Sequence, residues 1–375
     1  MRRDVVTAAT EMARDSEAIA DLARQLEGVD ANALVTFFDH RRDGAAIVGG
    51  LRERFPSAEV IGCTTDGEFT ERSYGSGGAV AVALSRHKVS RAAGALVSFD
   101  GGVVEGMRAA AQRIGEKLGE DIRQCDPDRY VGIVLFEGMK GKEEEANDAL
   151  GRVAPFLSFV GGSAGDGLRF VETRVHAEGG ESTNGAALLV LRMESHFSIV
   201  KTCSFTLREG ASFQVTRADA AQRIVYELDG RPIVDAYSAA LGVAEERLEG
   251  SLFSSHPLGL MIEGAPWIRT PQQVLPGGGI RFACQLVEGM RVHVMDPTDL
   301  VEDTRRAFAQ AERSVGGRAS GAILFNCAYR RVEIEQRRLT GAFRKLLTFP
   351  TAGFHTYGES WLGHMNHTLT GLLIA

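Results

Sequence analysis

Hydroxyl and carboxylate side chains cluster just after three short apolar segments of the chain. They are Thr64, Thr65, Asp66 and Glu68 in the first segment, Ser163 and Asp166 in the second, and Thr356, Tyr357 and Glu359 in the third. A hydroxyl both donates and accepts hydrogen bonds, and a carboxylate can anchor an ammonium group. These residues predict a binding site for a small polar ligand. For Asp66 the alternative is a cap on the following turn, which is a common role of aspartate.

Four histidines are candidates for holding a metal or a haem iron. They are His256, His355, His364 and His367. Trp361 and Met365 make the surroundings of the last three apolar, as a porphyrin face requires. On a helix His364 and His367 would share one side, because they are three residues apart, whereas in an extended segment they would face opposite ways. For each histidine the alternative is a packed or hydrogen-bonded side chain.

Arginine side chains offer partners for carboxylates, because a guanidinium group can bind a carboxylate with two parallel hydrogen bonds. Arg330 is therefore a candidate ligand contact. Arg269 and Arg281 are further candidates, and a charged surface position is the alternative for all three. The adjacent arginines at 330–331 and 337–338 are typical of a solvated helix face.

Two residues suggest an enzyme. Cys63 could act as a nucleophile with a histidine base, although a cysteine at a strand end is also common as a packing residue. The segment Gly161–Gly165 reads GGSAG and formally matches the GxSxG pattern, which makes Ser163 a candidate nucleophile. That pattern requires a strand, a turn and then a helix, whereas strands are predicted after Asp166. A Ser163-dependent hydrolase is therefore the third hypothesis.

The elements that would position these residues form a pattern that occurs three times. Each copy has a strand, a helix, a second strand broken by glycine, and a further apolar strand. The predicted segments are, for copy one, Leu34–Asp39, a helix from about Gly44, Val60–Glu68 and Ala79–Leu84; for copy two, Val131–Gly138, a helix near Glu143–Val153, Val160–Gly167 and Ala186–Leu191; and for copy three, Ala322–Cys327, a helix near Val332–Leu347, Ala352–Glu359 and Thr368–Ile374. Gly62, Gly161 and Gly353 allow a sharp turn or a close approach to a ligand; ordinary strand punctuation is the alternative. Because ligands of α/β sheets bind at strand ends, the pattern predicts one site assembled from the whole chain.

The remaining segments predict a mixed α/β protein of two domains, residues 1–209 and residues 210–375. Three runs between Phe170 and Phe205 predict an antiparallel meander. Ala218–Leu228 and Pro232–Leu241 predict helices in the second half. The fold class is therefore α/β, with repeated strand–helix–strand units and mixed sheets.

Composition narrows the classes of protein. The chain has 375 residues, of which 44% are apolar, and a net charge of −7. Its basic residues form no long stripe, and no apolar run reaches the ~18 residues that span a bilayer. Five scattered cysteines argue against a disulfide framework or a cysteine-bound zinc ion. We expect a soluble cytoplasmic protein that binds neither nucleic acid nor a membrane.

The chain resembles the FIST family over nearly its full length. The resemblance is carried by Ile61–Phe69, Gly161–Asp166, His256–Gly259, Asn326–Arg330, Thr356–Glu359 and Asn366–Thr368. It implies an N-terminal and a C-terminal FIST domain and a ligand-sensing role in bacterial signalling. A chain without an attached output domain also resembles the nitric-oxide-sensing haemoproteins of this family, called NosP. That resemblance implies non-covalent haem b and a partner histidine kinase or cyclic-di-GMP enzyme.

The favoured hypothesis is a non-enzymatic haem-based nitric oxide sensor. The alternative is a sensor of amino acids or other small polar ligands without haem, which the resemblance also implies. In either case ligand binding would shift a population of conformers that a partner protein detects. The sequence allows a homodimer and does not identify the partner.

Overall fold

The computed structural model describes residues 3–375, and these form two compact units. One unit comprises the chain up to Lys201 together with Arg305–His364 and Leu369–Ala375. The other comprises Thr202–Thr304 and Met365–Thr368. The predicted boundary between residues 209 and 210 stays a prediction. No helix among residues 3–375 has the length and hydropathy of a membrane span.

The helices and strands follow in chain order. Those before the second unit are β1 (Val5–Thr10), α1 (Asp15–Gln25), β2 (Ala31–Asp39), α2 (Gly44–Arg54), β3 (Glu59–Thr65), β4 (Glu68–Thr70), β5 (Tyr74–Gly75), β6 (Ala79–Ser85), β7 (Val89–Ser98), α3 (Val103–Leu118), β8 (Tyr130–Phe136), α4 (Glu143–Val153), β9 (Ser158–Ser163), β10 (Val175–Ala177), β11 (Gly180–Ser182), β12 (Gly185–Met193) and β13 (Phe197–Cys203).

The second unit contributes a further set. They are β14 (Phe205–Asp219), β15 (Ile224–Leu228), β16 (Arg231–Pro232), α5 (Ile233–Leu241), α6 (Gly250–Ser255), β17 (Leu258–Ile262), β18 (Ala265–Arg269), β19 (Pro271–Val274), β20 (Ile280–Phe282) and β21 (Arg291–Pro297). The chain ends with α7 (Leu300–Ser314), β22 (Gly321–Cys327), α8 (Ala328–Gln336), α9 (Thr340–Arg344), β23 (Thr351–Thr356), β24 (Glu359–Trp361), β25 (His364–Met365) and β26 (Thr368–Ile374).

The three predicted copies have the same topology. In each one the first strand pairs in parallel with the second strand and antiparallel with the returning strand. The first, second and returning strands are β2, β3 and β6 in copy one, β8, β9 and β12 in copy two, and β22, β23 and β26 in copy three. The mixed α/β class with repeated units is therefore confirmed.

The copies exchange short strand pairs in a cycle. The pair β4-β5, between the second and returning strands of copy one, extends the sheet of copy three next to β23. The pair β24-β25, at the same place in copy three, extends the sheet of copy two next to β9. The pair β10-β11, at the same place in copy two, extends the sheet of copy one next to β3. Each copy therefore completes the sheet of another copy.

The three sheets share one apolar core. Val35, Ile133 and Ile323, one from the first strand of each copy, are fully buried in the same cluster. These strands are apolar nearly throughout, as expected for strands covered on both faces. On its opposite face, copy one packs against α1 and α2, and copy two packs against α3 and α4.

The strand-end glycines are required by a neighbouring strand. A Cβ atom at Gly161 would lie 1.7 Å from the main-chain oxygen of Val134, and at Gly62 and Gly353 it would meet the adjacent strand at 2.7 Å and 2.6 Å. None of these glycines has a positive φ. The close approach predicted from the sequence is therefore to the parallel partner strand within the copy.

The predicted meander between Phe170 and Phe205 is wrong. The segment before Val175 is irregular, and β10, β12 and β13 belong to three different sheets. The three runs are close in sequence, but each pairs with strands from a different part of the chain. Strand pairing over such distances leaves no trace in a local pattern.

Two helix predictions also differ from the structure. Ala218–Leu228 is the end of β14, a turn and β15, because Ile224, Val225 and Tyr226 favour a strand and Arg223 has a positive φ of 56°. The helix predicted over Val332–Leu347 is divided into α8 and α9 near Arg338, whose φ is also 56°. A non-glycine residue in the left-handed region ends regular helical structure.

Candidate functional site

The second strand of each copy ends at a hydroxyl residue, and a carboxylate follows three positions later. The pairs are Thr65 with Glu68 after β3, Ser163 with Asp166 after β9, and Thr356 with Glu359 after β23. All six side chains are buried. We call these segments (Thr65–Glu68, Ser163–Asp166 and Thr356–Glu359) the three-turn junction, because main-chain hydrogen bonds join them.

The first turn is bonded to the strand that leads into the third. The amide of Asp66 donates to the main-chain oxygen of His355 at 3.1 Å, and the amide of His355 donates to the main-chain oxygen of Gly67 at 2.8 Å. This reciprocal pair holds the backbone of Asp66 beside β23. Asp66 and His355, which are far apart in sequence, are therefore neighbours in the first unit.

Main-chain hydrogen bonds also join the third turn to the second and the second turn to the first. The amide of Tyr357 donates to the main-chain oxygen of Ser163 at 3.1 Å, and the amide of Ser163 donates to that of Gly358 at 2.8 Å. The amide of Gly165 then donates to the oxygen of Thr64 at 3.0 Å. The three segments predicted to converge therefore do so. Their role in ligand binding stays a prediction.

Within the junction most hydroxyls bind carboxylates of the protein itself. Thr65 Oγ1 donates to Glu68 Oε2 at 2.9 Å, and Ser163 Oγ donates to Glu143 Oε1 at 3.2 Å. Thr356 Oγ1 donates to Glu359 in the same way. These internal bonds give the hydroxyls a structural role. Burial raises the pKa of Glu68 to about 7, and the hydrogen bonds from Thr65 and the Gly78 amide oppose that rise.

Asp166 organises the loop that follows the second turn. Its two carboxylate oxygens accept hydrogen bonds from four successive main-chain amides, at distances of 2.7–3.1 Å. It also accepts a hydrogen bond from the Tyr357 hydroxyl. Burial would raise its pKa, but these hydrogen bonds together keep the pKa of Asp166 below its usual value. Asp166 is therefore ionised, and both of its carboxylate oxygens are occupied by hydrogen bonds from the protein itself.

Asp66 differs from the other carboxylates of the junction. Its side chain is completely buried, and neither carboxylate oxygen has a hydrogen-bond partner among residues 3–375. The main-chain amide of Leu168 lies near this carboxylate and lowers its pKa. Nη1 of Arg331 lies 3.5 Å from Oδ2 of Asp66, and its hydrogen bond goes instead to the main-chain oxygen of Asp66. Arg331 is also bound by Glu335, through a 2.8 Å bond from Nε.

The environment of Asp66 makes it titrate near neutrality. Burial raises its pKa to about 7, with Arg331 opposing the rise and the negative charges of Glu335 and Asp166 adding to it. At physiological pH the carboxyl group is therefore present both protonated and ionised. A strongly perturbed acid with unused oxygens is typical of a functional site.

His355 is the second unusual group, and its neighbours define its tautomer. Arg330 Nε donates to Asn326 Oδ1 at 2.9 Å, so the amide nitrogen of Asn326 faces His355 Nδ1, also at 2.9 Å. Because that nitrogen donates, Nδ1 accepts and the ring proton lies on Nε2. Burial, reinforced by Arg331 and Arg330, keeps the pKa of His355 well below its usual value. The neutral ring thus presents an Nε2–H group that has no partner in the described chain.

Tyr74 completes this group. Its ring centroid lies 5.0 Å from that of His355, and its hydroxyl is buried without a hydrogen-bond partner within residues 3–375. Burial raises its pKa, so the hydroxyl stays protonated. Tyr74 also lies in the wall of a cavity of about 450 Å³ with Glu68. We call Asp66, Tyr74, Arg331 and His355 the Asp66 cluster.

The other predicted histidines have different surroundings. His256, in the second unit, is held by Asp296, whose Oδ1 lies 3.0 Å from Nδ1 and which Arg208 also binds. His367, in the same unit, is buried against Phe205 and has a φ of 53°. His364 is buried in β25, in the first unit. Because neither residue lies on a helix, the helical spacing of His364 and His367 does not apply.

The remaining predicted residues have structural environments. Arg330 is buried, and so is Arg269, which donates to main-chain oxygens, so the surface alternative is wrong for both. Arg281 is exposed. Cys63 is fully buried in the shared core, and burial raises the pKa of its thiol, which disfavours the nucleophilic thiolate.

Sequence reasoning missed Arg331, Tyr74 and Asn326. Arg331 was interpreted with Arg330 as part of a solvated helix face. Yet α8 begins immediately after β22, and its first turn faces the junction. The available indication was the position of both arginines within four residues of a strand end.

Two family domains match almost all of the chain. Residues 32–231 match the FIST N domain, and residues 234–361 match the FIST C domain. The first match alone spans more than half of the 375 residues. The chain belongs to the FIST family. FIST domains are sensory, ligand-binding domains of signal transduction.

Two individual proteins are similar to this FIST protein. An uncharacterized protein of Methanocaldococcus jannaschii is 24% identical over 201 residues, which cover 51% of this chain and 36% of the relative. The match therefore spans about a third of that relative. A cyanuric acid hydrolase from A. caulinodans aligns over 99% of this chain and 98% of its own, with 12% identity and a TM-score of 0.31. A similarity that low carries no argument about fold or activity.

The Asp66 cluster combines residues from both FIST domains. Asp66 and Tyr74 lie in the part that matches the FIST N domain, and Arg331 and His355 lie in the part that matches the FIST C domain. All four nevertheless belong to the same compact unit. Both family domains are thus needed to build this cluster.

Proposed function

We propose that this FIST protein is a sensor that binds a small polar ligand at the Asp66 cluster. The observation that carries the proposal is the buried Asp66 carboxylate, whose two oxygens have no hydrogen-bond partner in the described chain. Leaving a buried polar group unpaired costs about 1–3 kcal/mol, and more for a charged group. Proteins retain such unfavourable arrangements mainly at functional sites.

The chemistry of the cluster restricts the ligand. An ionised Asp66 accepts hydrogen bonds, which suits an ammonium or another positively charged nitrogen group. The Tyr74 hydroxyl and the Nε2–H of His355 can each donate to an oxygen of the same ligand. A small amine that also carries an acceptor oxygen matches this set, and amino acids belong to that class. The pairing supports the second hypothesis from the sequence.

Haem fits the cluster poorly. Iron coordination through Nε2 of His355 needs a lone pair there, but Asn326 keeps the ring proton on that nitrogen. The ring is also fully buried and packs against Phe69 and Tyr74, with centroid distances of 5.1 Å and 5.0 Å. A haem-based nitric oxide sensor is the second candidate function, and the absorption spectrum of the purified protein tests it. A Soret band that is lost in one of four single His→Ala variants, at 256, 355, 364 or 367, would support it.

Thermal unfolding with a panel of ligands tests the proposal. The probes are the twenty amino acids, together with putrescine and agmatine as amines that lack an acceptor oxygen. Each is added to wild type, Asp66→Asn and the surface control Asp148→Asn, whose side chain is 72% exposed. A ligand at 100 times its Kd stabilises the folded state by about 2.7 kcal/mol and raises Tm accordingly. We expect at least one amine to raise Tm of wild type and Asp148→Asn but not of Asp66→Asn. Equal shifts in all three proteins, or none from any probe, would contradict it.

A partner protein would detect the bound state. A histidine kinase or a cyclic-di-GMP enzyme is the proposed partner, and its support is the resemblance to NosP. Pull-down of a candidate kinase with the protein, with and without the amine that raises Tm, tests this part. Ligand-independent capture would argue against a sensory coupling.

A further inference from the structure

The loop that follows the second turn has an unusual backbone. Gly167–Glu172, which we call the lid, has no helix or strand. Leu168 and Phe170 have φ values of 59° and 53°, in the left-handed region that side chains rarely adopt. Strained backbone of this kind is often found in segments that move or bind. The lid is therefore held by specific contacts.

Apolar burial contributes little to holding the lid in place. Its three large apolar side chains, Leu168, Phe170 and Val171, are 43%, 53% and 66% exposed. Its internal order comes from Asp166, which binds the four amides of residues 169–172. Because these bonds lie within one short segment, Asp166 and the lid can move together as one piece.

Tyr357 holds this piece against the junction. Its hydroxyl donates to Asp166 Oδ1 and accepts from the Asp166 amide at 3.2 Å. Its ring stacks on Phe170, with centroids 4.8 Å apart and planes inclined by 25°. All three contacts join copy three to the segment between the second and returning strands of copy two. A single tyrosine therefore acts as the latch of the lid.

The base of the lid packs against Asp66. Gly165, at its base, packs so closely that a Cβ atom there would lie 2.6 Å from the nitrogen and 3.0 Å from the Cβ of Asp66. The Leu168 amide faces the Asp66 carboxylate. With these contacts in place the Asp66 side chain is completely buried. No ligand can reach it until a covering element moves.

We propose that the lid opens as one piece to admit ligand to Asp66 and that the Tyr357 contacts with Asp166 and Phe170 are the latch. This inference rests on the proposed function in assigning the ligand to Asp66. The opening itself does not depend on the identity of the ligand. It can therefore be measured without one.

A cysteine reporter measures the opening. In Asp66→Cys the new thiol is treated with N-ethylmaleimide, and its labelling is compared with that of native Cys63, which is fully buried in the core. Fragment-ion mass spectrometry separates the two sites. Adding Tyr357→Phe removes the latch hydroxyl and keeps the ring, and Tyr226→Phe is the matched control elsewhere in the chain.

We expect Tyr357→Phe to accelerate labelling at position 66 by at least about tenfold, because it removes two hydrogen bonds, one of them to a charged group. Labelling of Cys63 and of the Tyr226→Phe control should not change. Position 66 labelling that is insensitive to Tyr357→Phe, or that rises in parallel with Cys63 labelling, would overturn the proposal. The parallel rise would indicate global unfolding.

Trypsin provides a second measurement in the natural Asp66 background. Arg169 lies within the lid, and the amide of the bond after it is bound to Asp166. A lid released from Tyr357 can unfold locally into the extended form that trypsin cleaves, so Tyr357→Phe should speed cleavage after Arg169 and leave cleavage in the second unit unchanged. Unchanged cleavage after Arg169 would also overturn the latch. Because neither measurement uses a ligand, a panel of amines that fails to bind would refute the proposed function alone.

Discussion

Replacing Asp66 by asparagine should make the protein more stable at neutral and alkaline pH. In the unfolded chain this carboxyl group ionises near pH 3.8, whereas in the folded protein burial raises its pKa to about 7. Between these values the folded state holds a proton that the unfolded state has lost. The wild-type protein therefore loses stability as the pH rises toward 7, and the loss is complete above it.

The size of the effect follows from the two pKa values. Each pH unit between them corresponds to about 1.4 kcal/mol, so the full penalty is about 4 kcal/mol. Asparagine does not ionise and escapes this penalty. The advantage of Asp66→Asn over wild type in the free energy of unfolding should therefore grow by about 3 kcal/mol between pH 5 and pH 8. The attraction of Arg331 for the ionised carboxylate is already included in the pKa of about 7 and adds no separate contribution.

Urea unfolding followed by circular dichroism measures this difference at pH 5, 6, 7 and 8. Asp148→Asn, at an exposed position of α4, is the matched control and should follow wild type at every pH. If the difference between Asp66→Asn and wild type stays constant over this range, Asp66 is not a buried acid with a raised pKa. The proposed ligand site would then lose its physical basis.

Two further changes test the fold and the alternative activity. Gly161→Ala places a Cβ atom 1.7 Å from the main-chain oxygen of Val134 and should prevent folding, whereas Gly151→Ala, at an open helix position, should stabilise the folded protein by up to about 1 kcal/mol. Circular dichroism and urea unfolding measure both effects. A folded and stable Gly161→Ala protein would contradict the strand packing. Ser163 is buried and donates to Glu143, so we expect wild type and Ser163→Ala to show the same background hydrolysis of p-nitrophenyl acetate. Turnover that disappears only in Ser163→Ala would restore the hydrolase hypothesis.

Much of the local structure could be predicted from the sequence. The strand Thr368–Ile374 and the helix Glu143–Val153 have the predicted bounds. These segments are strongly apolar or strongly periodic, and their patterns depend on neighbours within a few residues. Where the pattern was ambiguous, as in Ala218–Leu228, pairing with a distant strand decided the outcome.

Less of the site was predictable. The nine polar residues singled out near the three strand ends do come together or lie beside the junction. Their hydrogen-bond partners could not be inferred, because Ser163 binds Glu143 and Tyr357 binds Asp166 across 20 and 191 residues of sequence. Arg331 looked like a solvated charge because its burial depends on copy one, which is far away in sequence.

The sequence by itself determined that three similar strand–helix–strand units would form, because glycine positions and apolar runs act locally. The tertiary structure decided how these units exchange strands, and so which polar groups are satisfied. Glu68 and Glu359 each accept a hydrogen bond from the hydroxyl residue of their own turn. Asp166 accepts its hydrogen bonds from the lid and from Tyr357. Only Asp66, enclosed by segments from all three copies, is left buried without a hydrogen bond among the described residues of the junction. Burial and pairing depend on contacts between distant parts of the chain, which a local pattern does not contain.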